Sequence, residues 1–359
     1  MILVFAGAGA SRAVDPENYP TTVEFFQKLS PHLKQDTLFA NAFSFLQSQG
    51  RKDDQADIEQ VLWVLEELAQ FCKTVNDTKT VAGWFLHASR LVAHQGPQAR
   101  IDLTSLTQST SQMVNLVRDL THRINVRVYD LYSQEPAPSD LEKTWLPLLR
   151  TLLGSGERIE VFTTNYDLVI EVAAHKLFTE EGLPKLETGR TSHFNPQLDL
   201  SNWTKPPASK SRDSSRAGLI TKLHGSVDWS KVGDRIFAGE PGYKGTHDRH
   251  VILYPGFKGS PDREPFITFH NYLLSGLSDA TAIIFIGFSF RDSYINDLLR
   301  FTNSKAKIIV LNPREIKNVP FNPKRVTSLV EGFGKESLPK LIKAIGLDLT
   351  GRQIEEAIR

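Results

Sequence analysis

Three segments of small or polar residues, each directly after an apolar run, constrain the fold of this chain most. GAGAS at residues 7–11 follows the run at 1–5, TTNYD at 163–167 follows a second run, and LHGS at 223–226 ends a third. Short apolar runs bounded in this way predict buried strands. In an open parallel α/β sheet, ligands bind at the carboxyl ends of the strands. The three segments therefore predict a parallel sheet with one site assembled at its edge.

The first segment, the glycine turn at residues 7–11, has two interpretations. Gly7 and Gly9 let the backbone turn tightly and approach a ligand closely. A helix that follows would point free N–H groups at a pyrophosphate. Arg12 stands where the dinucleotide fingerprint has its third glycine, and no Gly-Lys-Ser/Thr follows. The segment alone leaves open a nucleotide-binding turn and a strand-to-helix turn without a ligand.

Further apolar runs extend the predicted sheet. Short stretches rich in Ile, Val and Phe predict parallel strands at 158–164, 219–223, 282–287 and 307–312. With the first run they make a doubly wound sheet. The stretch at 184–217 holds four prolines and a polar run, which predict a long surface loop. After Pro313 the pattern predicts a strand at 326–330 and a helix at 336–346.

Apolar residues at helical spacing dominate the stretch from residue 30 to residue 153. We expect this stretch, 30–153, to be a largely helical insert within a single domain that spans 1–359. The remaining tail covers 313–359. A helix is also predicted at 21–32, and Thr22 lies near its start.

Composition excludes several classes of protein. The hydrophobic share of 40% and the charged share of 23% are typical of a globular protein in water. The net charge of +1 favours no broad contact with nucleic acid. The chain has one cysteine, Cys72, which excludes an internal disulfide and a four-cysteine zinc module. No run is long enough to span a membrane, and the first strand lacks the basic region of a signal peptide. We therefore expect a cytoplasmic protein that binds neither membrane nor nucleic acid.

Two polar segments carry weaker signals. The residues His247–His250 have the composition of a metal site, but no partner cluster stands elsewhere in the sequence. We interpret them as a loop and expect no metal. Lys205, Lys210, Arg212 and Arg216 form a basic patch without interleaved aromatic residues, which is typical of a solvated loop.

Three polar residues at predicted strand ends are candidates for chemistry. Asn165 offers a donor and an acceptor, which suits holding a hydroxyl and orienting a water, but asparagine also caps helices. Asp167 either orients Asn165 or places negative charge at a helix N-terminus. Histidine changes its charge near neutral pH, so His224 suits general-base work, whereas a lone histidine is usually structural.

The motifs GAGAS, TTNYD and KLHGS, followed by IIFIGFSF and IIVLN, resemble the sirtuin-type NAD-binding domain. They are most similar to the sirtuin-like branch found in bacterial anti-phage effectors. The resemblance runs in motif order from Met1 to about Asn312. It implies a Rossmann-like α/β fold. Ordinary sirtuin deacylases carry a four-cysteine zinc module, and this chain has a single cysteine.

The resemblance also implies roles for individual residues. Asn165 and His224 are expected to be catalytic, with Asn165 placing the water and the ribose and His224 handling a hydroxyl proton. The glycine turn is expected to hold the pyrophosphate, and the residues after the strand at 282–287 to hold the adenosine side. Asp167 would accept from the nicotinamide amide. The residues expected to bind NAD are Gly7, Ala8, Gly9, Ala10, Ser11, Thr22, Asp167, Gly287, Phe288, Ser289 and Asn312.

The activity implied is NAD+ hydrolysis to nicotinamide and ADP-ribose, with NAD as the substrate, in an effector that depletes NAD during anti-phage defence. Two alternatives stay open: an NAD-dependent protein deacylase and a non-catalytic NAD or ADP-ribose sensor. Thr164 stands where deacylases usually have glutamine, which counts against the first alternative. The resemblance further implies a homo-oligomer that docks on a ring of a HerA-type P-loop ATPase.

Overall fold

The computed structural model describes residues 1–33, 35–50, 58–77, 79–82, 103–191, 196–204, 216–239, 250–253, 261 and 263–347. Contacts between residues divide the chain into two compact units. The first unit holds the described residues of 1–21, 128–253 and 257–359, and the second holds those of 22–127. In the described residues, no helix combines the length and the apolar character that crossing a membrane requires.

Most strands of the first unit belong to one parallel sheet. The described strands are β1 (Ile2–Ala6), β2 (Ile159–Thr163), β3 (Lys185–Glu187), β4 (Arg216–Lys222), β5 (Gly225–Val232), β6 (Arg235–Ala238), β7 (His250–Ile252), β8 (Ala282–Ile286), β9 (Lys307–Asn312) and β10 (Val326–Val330). Seven of them form a sheet in the order β10-β9-β8-β1-β2-β4-β3. Every neighbouring pair in it is parallel. The predicted doubly wound parallel α/β sheet is confirmed.

Helices connect these strands and are the described elements of the second unit. The described helices are α1 (Ala8–Arg12), α2 (Thr22–Leu33), α3 (Thr37–Ser48), α4 (Ile58–Asn76), α5 (Leu103–Tyr132), α6 (Pro138–Leu141), α7 (Trp145–Gly154), α8 (Val169–Glu181), α9 (Phe266–Asp279), α10 (Ser293–Leu299) and α11 (Leu338–Ile345). The helices α2, α3, α4 and most of α5 form the second unit, and the others lie in the first.

The core of the first unit lies between the sheet and α9. Phe5 on the central strand stacks on Phe162 of β2 at 5.4 Å and on Phe285 of β8 at 4.9 Å between ring centroids. Phe269 and Leu273 of α9 are fully buried in the same cluster. Central strands buried on both faces read as continuous apolar runs, which is why β1, β2, β8 and β9 were visible in the sequence.

Apolar spacing explains the helices of the second unit. Ile58, Val61, Leu62 and Leu65 are buried on one side of α4, as a helical period requires. Asp36 caps the start of α3, because its side chain accepts hydrogen bonds from the backbone of the first turn. The predicted helical character of this region is confirmed for its described residues. The bounds of the predicted insert, 30–153, differ from those of the second unit, and the single-domain organisation stays a prediction.

The segment at 184–217 was predicted to be a surface loop. Two of its described parts have regular structure instead. Residues 185–187 form β3 at the edge of the sheet, and Leu200–Trp203 form a turn of 3₁₀ helix. Trp203 is buried and donates from Nε1 to Thr221 Oγ1 at 2.8 Å. The prolines predicted a loop, and the three-residue strand β3 is too short to show the alternation of polar and apolar residues that indicates a strand. The antiparallel sheet β6-β5-β7 was also not predicted.

Candidate active site

The structure brings the predicted motifs to one edge of the sheet. Gly7 follows β1, Asn165 lies two residues after β2, His224 lies two residues after β4, Gly287 follows β8, and Asn312 ends β9. These five strands are neighbours in the order β9-β8-β1-β2-β4. Parallel strands all end on the same side, so the five motifs share the carboxyl edge.

Asn165 is bonded to the glycine turn at residues 7–11. Its Nδ2 donates to the carbonyl oxygen of Gly7 at 2.9 Å and to Ser11 Oγ at 2.8 Å. Its backbone N–H donates to Thr163 Oγ1 at 3.0 Å. Both amide hydrogens therefore serve the protein itself. In the described part of the chain no donor reaches Oδ1, so Asn165 offers a ligand an acceptor and no donor.

The glycine turn interlocks with the turn after β8. Gly7 N–H donates to the Ile286 carbonyl at 3.0 Å, and Gly9 N–H donates to the Gly287 carbonyl at 3.1 Å. A Cβ on Gly7 would lie 2.6 Å from the oxygen of Gly287, and a Cβ on Gly287 would overlap the backbone nitrogen of Ala10. Glycine is needed because the two backbones touch. Since the N–H of Ala10 also bonds internally, to Gly7, fewer N–H groups face a pyrophosphate than the sequence predicted.

The predicted NAD-binding residues differ in exposure. Ala8 and Gly9 are partly exposed, whereas Ala10 and Ser11 are buried. Phe288 is buried with its ring 6.1 Å from that of Phe5, so its side chain belongs to the core and only its backbone lies in the turn. Ser289 is exposed, and Asn312 donates from Nδ2 to the Phe288 carbonyl at 2.9 Å. The NAD contacts of these residues stay predictions.

Asp167 stands at the start of α8. Its Oδ1 accepts from the backbone N–H of Val169 at 3.1 Å, which is the helix-terminus role considered for it. No bond joins it to Asn165 among the described contacts. Burial, followed by the charge of Asp167, raises the pKa of Tyr19, so this tyrosine stays a neutral donor to Gln134 O at 2.6 Å.

A buried charge network lies beside Asp167. Lys222 Nζ donates to the backbone carbonyl of Asp167 and pairs with Glu171 Oε1 at 3.2 Å. Burial raises the pKa of Glu171, against the opposing charge of Lys222. Asp228 of β5 forms a separate ion pair with Arg190. The lysine thus fixes the backbone of the segment that also carries Asn165.

His224 is buried in the turn between β4 and β5. The following Gly225 has a φ of 87°, and a Cβ there would overlap the carbonyl of Val251. The imidazole Nε2 lies 3.0 Å from Asp292 Oδ2. The other ring nitrogen, Nδ1, is buried and has no hydrogen-bond partner in the described part of the chain. An unpaired buried acceptor is costly, so this nitrogen calls for an explanation.

Asp292 was missed in the sequence. It precedes α10 and caps it, because Oδ1 accepts from the backbone N–H of Ile295 at 2.9 Å. Burial would raise its pKa, but the hydrogen bond and charge of His224 and the bond from Ile295 hold it below its ordinary value. The signal was an acidic residue before a short helical stretch, two residues after the GFSF motif at the same sheet edge.

A second histidine, His270 on α9, interacts electrostatically with His224 and Asp292. Its Nδ1 lies 2.8 Å from the carbonyl of Phe266, and its ring centroid lies 5.3 Å from that of Tyr294. Burial lowers the pKa of His270 to about 4, and His224 adds to this effect. At neutral pH His270 is therefore uncharged.

Several predicted features belong to the second unit or lie outside the described residues. Thr22 is the first residue of α2 and belongs to the second unit. Lys205, Lys210, Arg212 and residues 247–249 are outside the described residues, as are the side chains of Arg216 and His250. Among the described residues, no group of three or more His, Cys, Asp or Glu side chains could hold a metal ion. The absence of a metal stays a prediction.

Comparison with known protein families matches residues 159–330 to the family described as SIR2-like domain. A comparison with curated proteins gave no match. The matched range is a little under half of the chain and contains Asn165, His224, Gly287 and Asp292. It begins at β2, so the glycine turn lies outside it, although the structure places β1 at the centre of the same sheet. SIR2-like domains are generally NAD-dependent enzymes, which supports an NAD-related function for this chain.

Proposed function

We propose that this protein is an NAD+ glycohydrolase that converts NAD+ and water into nicotinamide, ADP-ribose and a proton. One observation carries the proposal. Within the SIR2-like domain, a buried histidine nitrogen without a partner, His224 Nδ1, and an unpaired amide oxygen, Asn165 Oδ1, follow neighbouring strands. One group accepts a proton and the other accepts a hydrogen bond, which are the two functions that adding water to a sugar carbon requires.

The bond between the nicotinamide nitrogen and ribose C1′ breaks in this reaction, and both of its electrons go to the nitrogen. The sugar passes through an oxocarbenium-like state, as in glycoside cleavage generally. The oxygen of water then bonds to C1′ and its proton is released. Asn165 Oδ1 would accept a hydrogen bond from the attacking water or a ribose hydroxyl, and so place it against C1′.

His224 is the proton acceptor in this proposal. Its Nε2 is turned toward Asp292 at 3.0 Å, which leaves Nδ1 for a hydroxyl or water proton. A group in this role typically contributes about 10²–10⁴-fold to the rate. The turn after β1 and the turn after β8 would hold the pyrophosphate and the adenosine side, as the sirtuin resemblance implies.

The products of purified protein distinguish this activity from its alternatives. The protein is incubated with NAD, with and without a peptide that contains acetyl-lysine, and the products are separated by chromatography. We expect equal amounts of nicotinamide and ADP-ribose with or without peptide. An acetylated ADP-ribose that forms only with peptide would establish a deacylase, and NAD that is bound but never consumed would establish a sensor.

A matched pair of histidine variants assigns the activity to the site. His224→Ala should lose about 10²–10⁴-fold in turnover. His175→Ala, an exposed position on α8, should keep it. Equal turnover of both variants and the wild type would remove His224 from the mechanism.

We propose further, on the sirtuin resemblance, that the enzyme acts in the cytoplasm as an NAD-depleting effector of anti-phage defence. Unrestrained NAD loss kills a cell, so its activity needs control. Self-association and docking on a HerA-type ATPase ring would supply it, with identical patches closing by symmetry. Light scattering during chromatography, with and without such an ATPase, tests this. A monomer at all concentrations that is fully active alone would contradict it.

A further inference from the structure

We propose that Asp292 is a positioning residue that holds the imidazole of His224 in its Nε2–H form and so makes Nδ1 the proton acceptor. The catalytic part of this inference rests on the proposed NAD+ hydrolysis. The tautomer itself does not, because it is a property of the protein without substrate. Asp292 lies 68 residues after His224, on the far side of α9 in the sequence, and only the fold joins them.

The two oxygens of Asp292 have separate functions. Oδ1 accepts from the Ile295 N–H at 2.9 Å, which orients the carboxylate at the start of α10. Oδ2 then faces His224 Nε2 at 3.0 Å. An ionised carboxylate can only accept, so Nε2 must be the donor. A neutral imidazole has one ring proton, and Nδ1 is therefore left with a lone pair.

The carboxylate is ionised when it acts in this way. Its pKa is held below the ordinary range, because bonds from His224 and Ile295 outweigh the effect of burial. A fixed negative charge against Nε2 also stabilises the imidazolium that forms once Nδ1 takes a proton, as the aspartate of a serine hydrolase triad does.

Among the described residues, the other titratable groups that interact electrostatically with this pair and have a shifted pKa are His270 of α9 and Tyr294 of α10. Burial lowers the pKa of His270 to about 4, so it is neutral near pH 7. Burial and the charge of Asp292 raise the pKa of Tyr294, so it is neutral as well. Neither group competes with Asp292 as a charged partner of His224 under these conditions.

His270 has the opposite tautomer and serves as an internal standard. Its Nδ1 lies 2.8 Å from the carbonyl oxygen of Phe266, and a carbonyl can only accept. In neutral His270 the proton is therefore on Nδ1, whereas in His224 it is on Nε2. Two neighbouring buried histidines should thus give different nitrogen signals.

Two substitutions separate positioning from helix capping. Serine and asparagine both cap helices well, so Asp292→Ser and Asp292→Asn preserve the start of α10. Asp292→Ser is too short to reach His224. In Asp292→Asn, Oδ1 is needed for the cap, so the amide NH₂ faces Nε2 and drives the proton to Nδ1. Asp297→Asn, an exposed carboxylate on the same helix, is the matched control.

The experiment combines nitrogen NMR of histidine-labelled protein without NAD and steady-state kinetics with NAD. His224→Gln identifies the His224 signals. We expect an unprotonated Nδ1 in the wild type and in Asp297→Asn, and a protonated Nδ1 in Asp292→Asn, with His270 unchanged. We expect kcat of Asp292→Asn to fall by about 10²–10⁴-fold, with KM changed by much less, and Asp292→Ser to lose less.

The outcomes separate this inference from the proposed function. If the His224 tautomer and kcat of Asp292→Asn match those of Asp297→Asn, the positioning role is wrong even though NAD is hydrolysed. Equal losses in Asp292→Ser and Asp292→Asn with an unchanged tautomer would reduce Asp292 to a structural residue. If the wild type does not consume NAD, the proposed function fails, while the tautomer comparison still decides whether Asp292 controls His224.

Discussion

Two buried polar clusters lie at opposite ends of the same sheet, and they are built differently. The amino-end cluster consists of Arg158, Glu160 and Tyr272. Glu160 Oε1 accepts from Arg158 Nε at 2.7 Å, and Oε2 accepts from the Leu219 N–H at 3.3 Å. Burial raises the pKa of Glu160 to about 7, against the opposing charge of Arg158. Both carboxylate oxygens thus have partners within the protein.

The carboxyl-end cluster consists of Asn165, His224 and Asp292. Asn165 and His224 are buried and Asp292 is partly buried. His224 Nδ1 has no partner among the described residues, and no described hydrogen bond reaches Asn165 Oδ1, because the bonds of this amide are made by Nδ2. A protein that only needs stability pairs its buried polar atoms. The comparison therefore teaches that burial alone does not mark a site. Unpaired buried atoms also occur elsewhere, as at Trp145 Nε1, so the unpaired His224 Nδ1 is informative because it lies at the sheet edge that carries the motifs.

The largest expected effect tests the carboxyl-end cluster. Asn165→Ala should lower NAD turnover by about 10²–10⁴-fold, because the acceptor that places the water or ribose is gone. The matched variant Asn115→Ala changes an exposed asparagine of α5 and should turn over NAD normally. Circular dichroism checks that both are folded. If folded Asn165→Ala turns over NAD within a few-fold of the control, the carboxyl-end cluster is not the site of the reaction.

Substitutions in the amino-end cluster should lower the unfolding free energy and leave NAD turnover unchanged. Glu160→Ala removes the carboxylate partner of the largely buried Arg158, which keeps only Tyr272 Oη at 3.5 Å, and should cost about 3–5 kcal/mol of unfolding free energy. Glu157→Ala breaks an ion pair at a carboxylate that is 49% exposed, and should cost about 0–1 kcal/mol. Urea unfolding measures both. Loss of NAD turnover in the folded fraction of Glu160→Ala would show that the two ends are coupled.

The interlocked turns at the carboxyl edge should be sensitive to a single methyl group. At a φ of 57°, Gly287→Ala places a Cβ against the backbone of α1, and overpacking with left-handed strain costs about 2–5 kcal/mol. Gly182→Ala has a similar φ of 66° with no atom within 4 Å, and should cost only about 1 kcal/mol. Similar unfolding free energies for the two variants would mean that the turns do not depend on close contact.

The smallest effect concerns pH. The pKa of His270 is about 4 in the folded protein and 6.5 without the fold. Between these values the unfolded chain binds one more proton, so the unfolding free energy falls as the pH falls from 6.5 to about 4. Over the range from pH 6.5 to about 4, the contribution of His270 to the unfolding free energy falls by up to about 3 kcal/mol.

Comparison with a variant isolates this contribution, since other titrating groups are common to both proteins. His270→Asn should lose less stability than the wild type between about pH 7 and about pH 5. His175→Asn, at an exposed position, should behave as the wild type. Parallel pH dependences for wild type and His270→Asn would show that His270 is hydrated or already protonated in the fold.

Much of the sheet could be read from the chain. The strands β1, β2, β8 and β9 lie within a residue or two of the predicted ranges, because buried parallel strands are largely apolar runs. The edge strand β10 also has its predicted bounds, although most of its residues are exposed. The edge strand β3 and the sheet β6-β5-β7 could not be predicted, because short strands with mixed polarity show no clear period. Residues Asn165 and His224 were singled out because they lie at predicted strand ends, where ligands bind in such sheets, and because their motifs resemble the sirtuin-type domain.

The sequence by itself determined a parallel α/β sheet and the set of motifs that end its strands, because apolar periodicity and glycine act over a few neighbouring residues. Only the tertiary structure decided which atoms remain free at the sheet edge. It turned the Asn165 amide hydrogens to the glycine turn and joined Asp292 to His224 across 68 residues. Hydrogen bonds are directional and short, so their partners depend on where distant elements pack, and no local pattern carries that information.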